Sequence, residues 1–214
     1  MNLAKSCLAM AIAAVTFSAQ GAGVGLRAGT TGVGGDVGWN LAPTLDARVG
    51  YSALSFSHDL TSTDVRYDAK LKLSNLNAFI DFSPFIGAFR FTGGLIANNN
   101  KYDLAGTGTS YRINGRTYSA SEVGLGGTVK SGRSLAPYLG IGYGNVARAG
   151  VNFYFDLGIM FMGSPKVSLV ASCGGSANCT QLRSDLNAEQ ARLQDDLNRF
   201  KYYPVANIGL TIGF

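Results

Sequence analysis

Charge is scarce in this chain of 214 residues: Asp, Glu, Lys and Arg together make up 14%, against about 25% in soluble domains. So thin an ionic surface argues against an ordinary water-soluble globule. Long apolar runs are also missing. Past the N-terminus no stretch reaches the ~18 uninterrupted apolar residues of a membrane helix, which excludes a helical membrane bundle. Histidine occurs once, as His58, so a metal centre built on imidazoles is excluded. Catalysis has little to work with either. His58 stands in SFSHDL beside Ser55, Ser57 and Asp59, but a nucleophile needs a base held by a third group, and a His between Ser and Asp is the ordinary make-up of a solvated turn. No enzyme, cofactor or metal is expected. The basic residues are scattered and not interleaved with aromatics, which sets nucleic acid aside.

Glycine is what the chain has in plenty, 29 residues, roughly twice the ~7% average share. The first residues, MNLAKSCLAMAIAAVTFSAQGAG, carry a positive charge at Lys5, an apolar run from Cys7 to Phe17 and then small residues. This is the pattern of a secretory signal peptide over 1–22, cut after about residue 20 to 22. Its removal leaves Cys173 and Cys179 in SCGGSANCT, close together in an oxidising compartment, and a disulfide is the expectation. A metal site is the weaker alternative, since two thiolates make an incomplete set. Exported, glycine-rich and without membrane helices, the remainder at 23–214 fits a closed β-barrel, which satisfies its backbone in lipid. A periplasmic β-sandwich is the alternative.

Segments of about ten residues with apolar and polar positions alternating bear this out. Val24, Leu26 and Ala28 oppose Arg27; Val33, Val37, Trp39 and Leu41 oppose Asp36 and Asn40; Leu45, Ala47, Val49 and Tyr51 oppose Asp46, Arg48 and Ser52. Leu76, Ala78, Ile80 and Phe82 oppose Asn77 and Asp81, and Phe89, Phe91 and Leu95 oppose Arg90 and Thr92. Leu139, Ile141 and Tyr143 alternate with glycines, and in GVNFYFDLGIMFM the series Val151 to Phe161 opposes Asn152, Tyr154 and Asp156. The terminal YYPVANIGLTIGF completes an eight-stranded antiparallel transmembrane barrel. Upstream of the fourth strand, YDAKLKL alternates in the opposite phase, which predicts a bulge near Ser74 to Asn75 or an extension beyond the bilayer.

Connections near Pro43, Pro84 and Ala147 are short, and those after the third, fifth and seventh strands are long. Short periplasmic turns and long outer loops put both termini in the periplasm and the extended segments 98–133 and 164–203 outside. Trp39, Phe82, Phe89, Tyr143 and Phe214 collect at one rim as an aromatic girdle. In the first outer segment Asn114-Gly115 is a hairpin signal, and the segment reads as an extracellular β-extension and not as a floppy loop. In the second, Leu182, Leu186, Leu193, Leu197 and Phe200 recur at helical spacing, with Asp195–Arg199 and Arg192–Asp196 placed to pair. A short amphipathic helix before the last strand is expected, packed on the rim or serving as a mobile lid or partner-binding element.

The inward positions gather Arg27, Arg48 and Arg90 with Asp36, Asp46, Asp81 and Asp156. An eight-stranded barrel is only wide enough for its own side chains or one small ligand. The seven charges therefore form either a mutually paired plug or a path for small polar solutes, with the arginines holding a carboxylate.

GTTGVGG at 29–35, NNNKYDL at 98–104, LAPYLGIGYG at 135–144 and GSPKVSL at 163–169 together resemble, in order, the CarO family of carbapenem-associated outer-membrane proteins. The resemblance implies an outer-membrane barrel passing small amino acids, particularly basic ones such as ornithine. The Cys173 and Cys179 pair and the final Phe214 depart from the family's pattern. A terminal aromatic such as Phe214 also resembles the signal read by the barrel assembly machinery. The expected function is a narrow outer-membrane channel for small polar solutes, with a closed structural or surface-interaction barrel as the alternative.

Overall fold

The computed structural model describes residues 21–62, 65–85, 87–174 and 178–214, with side chains for all of these except 58–67. The expected signal peptide lies, up to residue 20, outside the described residues. Period-two alternation becomes strand wherever the sequence carries it: β1 (Ala22–Gly29), β2 (Gly32–Ala42), β3 (Leu45–Ser62), β4 (Val65–Phe82), β5 (Phe89–Asn98), β10 (Leu135–Tyr143), β11 (Gly150–Met160) and β13 (Tyr203–Gly213). The long connections hold five more: β6 (Lys101–Gly106), β7 (Ser110–Ile113), β8 (Arg116–Ser119), β9 (Val123–Lys130) and β12 (Lys166–Cys173), followed by the helix α1 (Cys179–Leu197). Among the described residues there are thus thirteen strands, of which eight follow the eight expected segments and five are additional. Four of these, β6 to β9, lie within residues 98–133, where a β-extension was expected, and only β12 was not anticipated.

All ladders between these strands are antiparallel. From β4 they run through β3, β2, β1, β13, β11, β10 and β5, and residues 75–82 of β4 then pair with 91–98 of β5, so the path returns to its start. Higher on β4, residues 67–72 pair instead with β6, which leads on to β9 and β12. One long strand therefore serves two sheets. Its register against β3 is unbroken from Val65 to Phe82, so the phase change in YDAKLKL is an extension and not a bulge. Ala69, Leu73, Asn75, Asn77, Phe79 and Asp81 all point inward and are buried, while Leu76, Ile80 and Phe82 face out. Below Asn75 the inward face is polar except at Phe79, and above it come apolar Leu73 and Ala69.

The ring is inverted relative to a soluble protein. Arg48 is 1% exposed and Phe153 77%, and Leu26, Leu139, Ile208 and Ile212 share the exposed face. An apolar surface of this extent is untenable in water, which removes the β-sandwich alternative. At the short-turn end Trp39 stands opposite Ala22 and Ala47, Phe82 opposite Phe91, and Phe89 opposite Tyr143. Phe214 joins them, exchanging two backbone hydrogen bonds with Ala22 at 2.8 and 2.9 Å.

At the opposite end β7 and β8 form a hairpin whose turn, Asn114-Gly115, has φ of 49° and 79°, the positive values that Asn-Gly supplies. Asn178 caps α1, its side chain accepting from Gln181 N at 3.0 Å. Leu182 is buried with Tyr111, Ile113 and Val123, and Leu186 packs beside them. Leu193 and Phe200 stay exposed, so only the first half of the apolar stripe is used. The charged residues pair as Arg192–Glu189 and Arg199–Asp196 instead of at the expected four-residue spacing, both on the surface where such pairs contribute little. The helix does more as a cover: Gln190 and Gln194 accept from the backbone N–H of Leu169 and Val167 at 3.0 and 3.1 Å. They satisfy the outer edge of β12, which no strand among the described residues pairs, and which left bare would invite another strand.

Candidate functional site: the lumen of the strand ring

Strand parity sets the seven charged side chains inward, and all seven are buried. Six of them make two linked clusters. In the first, Arg27 pairs with Asp36 at 3.2 Å and donates to Asn77 Oδ1 at 2.5 Å and to Ser52 Oγ at 3.3 Å. In the second, Arg48 lies between two carboxylates. It donates to Asp81 at 3.1 and 3.3 Å and to Asp156 at 2.7 and 3.2 Å, a bidentate grip on each. Arg90 reaches the same two, Asp156 at 2.5 Å and Asp81 at 3.4 Å, and also donates to the carbonyl of Gly144. Thr92 completes Asp81 with a hydrogen bond of 2.6 Å.

Tyr154 joins the clusters. Its hydroxyl donates to Asp36, while its ring lies 5.2 Å from the Arg48 guanidinium and 5.5 Å from that of Arg90, within cation–π range. Asp46 stands apart toward the short-turn end, accepting from Asn40 at 2.9 Å and Asn145 at 2.8 Å.

The glycines that alternate with apolar residues do not line an empty path; other side chains occupy the room they leave. A Cβ on Gly209 would stand 2.1 Å from the Tyr154 ring, one on Gly50 1.8 Å from Asp36 Oδ1, and one on Gly142 2.7 Å from Asp156 Oδ1. Above the charges sits an apolar layer of Phe79, Ile96, Ala136, Tyr138, Met160 and Val205, with Met162 and Tyr203 packed on it. Sequence reading passed over this layer. Tyr138 shares the parity of Gly140 and Gly142, so extending that phase by one step would have found it. Above the layer opens a vestibule of about 270 Å³ walled by Leu71, Leu73, Tyr102 and Val129.

A further buried carboxylate, Asp185 of α1, was also missed. It accepts from Tyr118 at 2.6 Å, Asn114 at 3.0 Å and Gln181 at 3.1 Å, and these hydrogen bonds, Tyr118's foremost, hold its carboxyl below the usual range. The contact ties the helix to the β7–β8 hairpin. Beside it Cys173 and Cys179 are joined by a disulfide, as expected. Among the described residues no group of three His, Cys, Asp or Glu is placed to hold a metal.

The sequence matches no protein-family model and no curated relative. Among solved structures it is similar to the crystal structure of Acinetobacter baumannii CarO2, at 24% identity over 91% of this chain and 98% of that one, with a TM-score of 0.63. A. baumannii CarO matches at 24% identity over 90% and 97% of the two chains, with a TM-score of 0.62. The fold is CarO-like along nearly its whole length.

Proposed function

We propose that this chain, with its CarO-like fold, is an outer-membrane barrel of eight membrane-crossing strands, closed through the β4–β5 ladder and plugged by its own lumenal charges. It then acts through the head built from β6 to β9, β12 and α1, and not as an open channel. The observation that carries this is burial: Arg27, Asp36, Arg48, Asp81, Arg90 and Asp156 are each 3% exposed or less. A water-filled path would wet these groups, whereas a plug pairs them, as burial of charge demands. Both termini, Phe214 included, then lie in the periplasm, where the assembly machinery would meet the last strand, and lipid surrounds the exposed apolar face.

A second reading, a gated path for small cationic solutes such as basic amino acids, is favoured by one observation. Four lumenal carboxylates face three guanidiniums, and Asp46 is held by amides alone. Swelling of proteoliposomes in glycine, ornithine and a larger sugar separates the two. The plug predicts no flux above empty liposomes for any solute; ornithine entering faster than glycine would establish the path and overturn the plug. Outer-membrane placement is checked by fractionation and by protease added to intact cells, which should cut in residues 98–133 or 164–203; cleavage only after the envelope is broken would refute it.

A further inference from the structure

Lysines stand abreast across four neighbouring strands. Lys72 of β4 is register partner to Lys101 of β6, Lys101 to Lys130 of β9, and Lys130 to Lys166 of β12. Partners in a ladder project from the same face, and parity makes this the outward one: exposed Leu76 on β4 shares it with Lys72, while the next register row, Leu71, Tyr102, Val129 and buried Val167, takes the opposite face. At the ~4.8 Å strand spacing the row spans roughly 14 Å. Like charges set directly opposite repel, and the fold does little to relieve it. Asp103 reaches Lys72 and Lys101, each at 3.6 Å. Lys130 and Lys166, both exposed, have no carboxylate within 4.0 Å among the described residues. Lys70 adds a cation one outward position higher on β4, and exposed Asp68 an anion beyond it.

The position of the row is as telling as its charge. Below Lys72 on the same face come Ser74 and then exposed Leu76, so the lysines lie about 13 Å along the strand from the apolar band. Beside them, where β5 and β6 part, is an open polar recess of about 380 Å³ lined by Asn99, Lys101, Lys130 and Ser134. Ammonium groups in a row over an apolar wall match an amphiphile with several phosphates above acyl chains. A soluble anion would have no use for the wall.

We infer that the Lys72–Lys101–Lys130–Lys166 row and its recess bind the phosphate groups of a polyphosphorylated glycolipid whose acyl chains lie on the adjoining apolar face. The inference rests on the membrane reading above, and it places the base of the head at the level of the lipid headgroups.

The test uses the refolded full-length mature chain in neutral detergent with EDTA present, and bisphosphorylated lipid A as probe, binding being read by native mass spectrometry. Lipid A should bind, 0.5 M salt should weaken it by screening, and K72Q/K101Q/K130Q/K166Q should lower affinity at least tenfold. The helix variant R183Q/R192Q should bind as the parent does. Should the quadruple variant not refold, K130Q/K166Q replaces it, with a loss of threefold or more expected. Unchanged binding in the lysine variant, or equal binding of dephosphorylated lipid A, overturns the inference. Displacement by inorganic phosphate at equal phosphorus shows a site for free anions and overturns it as well. Because binding is read in detergent, failure here leaves the flux and fractionation results standing, whereas a failed fractionation would remove the membrane reading on which this inference rests.

Discussion

Arg48 is where the lumenal charge clusters are most sensitive to a single change. Its guanidinium makes four donor contacts, at 2.7 to 3.3 Å, to Asp81 and Asp156, and lies 5.2 Å from the centres of the Phe79 and Tyr154 rings. Arg48→Gln removes the charge and leaves two buried carboxylates to share Arg90. Removing one member of a buried ion pair costs about 3–5 kcal/mol. Arg90, which already touches both carboxylates, keeps the value from doubling, and about 4 kcal/mol is expected. With a urea slope of about 2 kcal/mol/M, the unfolding midpoint in detergent should fall by roughly 2 M. Trp39, the sole tryptophan, reports the transition from the short-turn rim. Adding Asp156→Asn removes one of the two carboxylates left to share Arg90, so the double variant should recover part of the loss, with a coupling above about 1.5 kcal/mol in the cycle. A loss under about 1 kcal/mol, or additive single effects, would mean that water reaches these charges and that the lumen is not packed as described.

Gly209→Ala puts a methyl group where the Tyr154 ring lies and should cost about 1–3 kcal/mol by overpacking, seen as a lower midpoint in the same assay; an unchanged midpoint would show the ring free to move. Replacing Cys173 and Cys179 together by Ser opens a bridge spanning six positions, worth roughly 2 kcal/mol by loop entropy. Proteolysis should then begin near the start of α1 while the Trp39 transition stays put. Asp185 sets a pH dependence for the head. Its carboxyl is held below the usual range by Tyr118, Asn114 and Gln181, so the stability it gives is complete above the ordinary Asp value of about 3.9 and is lost as pH falls through the lower folded value. Hydrogen exchange in α1 should be flat from pH 7 to 5 after correction for intrinsic rates and rise only in strong acid, and Tyr118→Phe should move that rise to higher pH.

Much of the ring was legible because an exposed apolar face and a buried charged one impose opposite chemistry on successive residues. GVNFYFDLGIMFM declares its phase in this way, and every charged side chain assigned inward by parity is indeed inward. The head was less legible. β9 and β12 do alternate, with Val129, Val167 and Leu169 on one face and Lys130, Lys166 and Ser168 on the other, but each is only 8 residues long and Gly126-Gly127 interrupts β9. Asp185 and Tyr118 are 67 positions apart and unremarkable within their own segments. The change of partner along β4, from β5 to β6 between Asn75 and Lys72, leaves only a faint local trace, the phase shift in YDAKLKL.

The sequence by itself determined which face of each ring strand is greasy and where the chain turns, since those follow from extended backbone and turn chemistry a few residues long. Tertiary structure alone decided what the inward side chains meet. Arg48 and Asp156 are 108 positions apart, and only the register and curvature of intervening strands set them at 2.7 Å. That distance distinguishes a lumen filled by its own charges from one that offers them to a solute, because a guanidinium already held by two carboxylates has few donors left to offer.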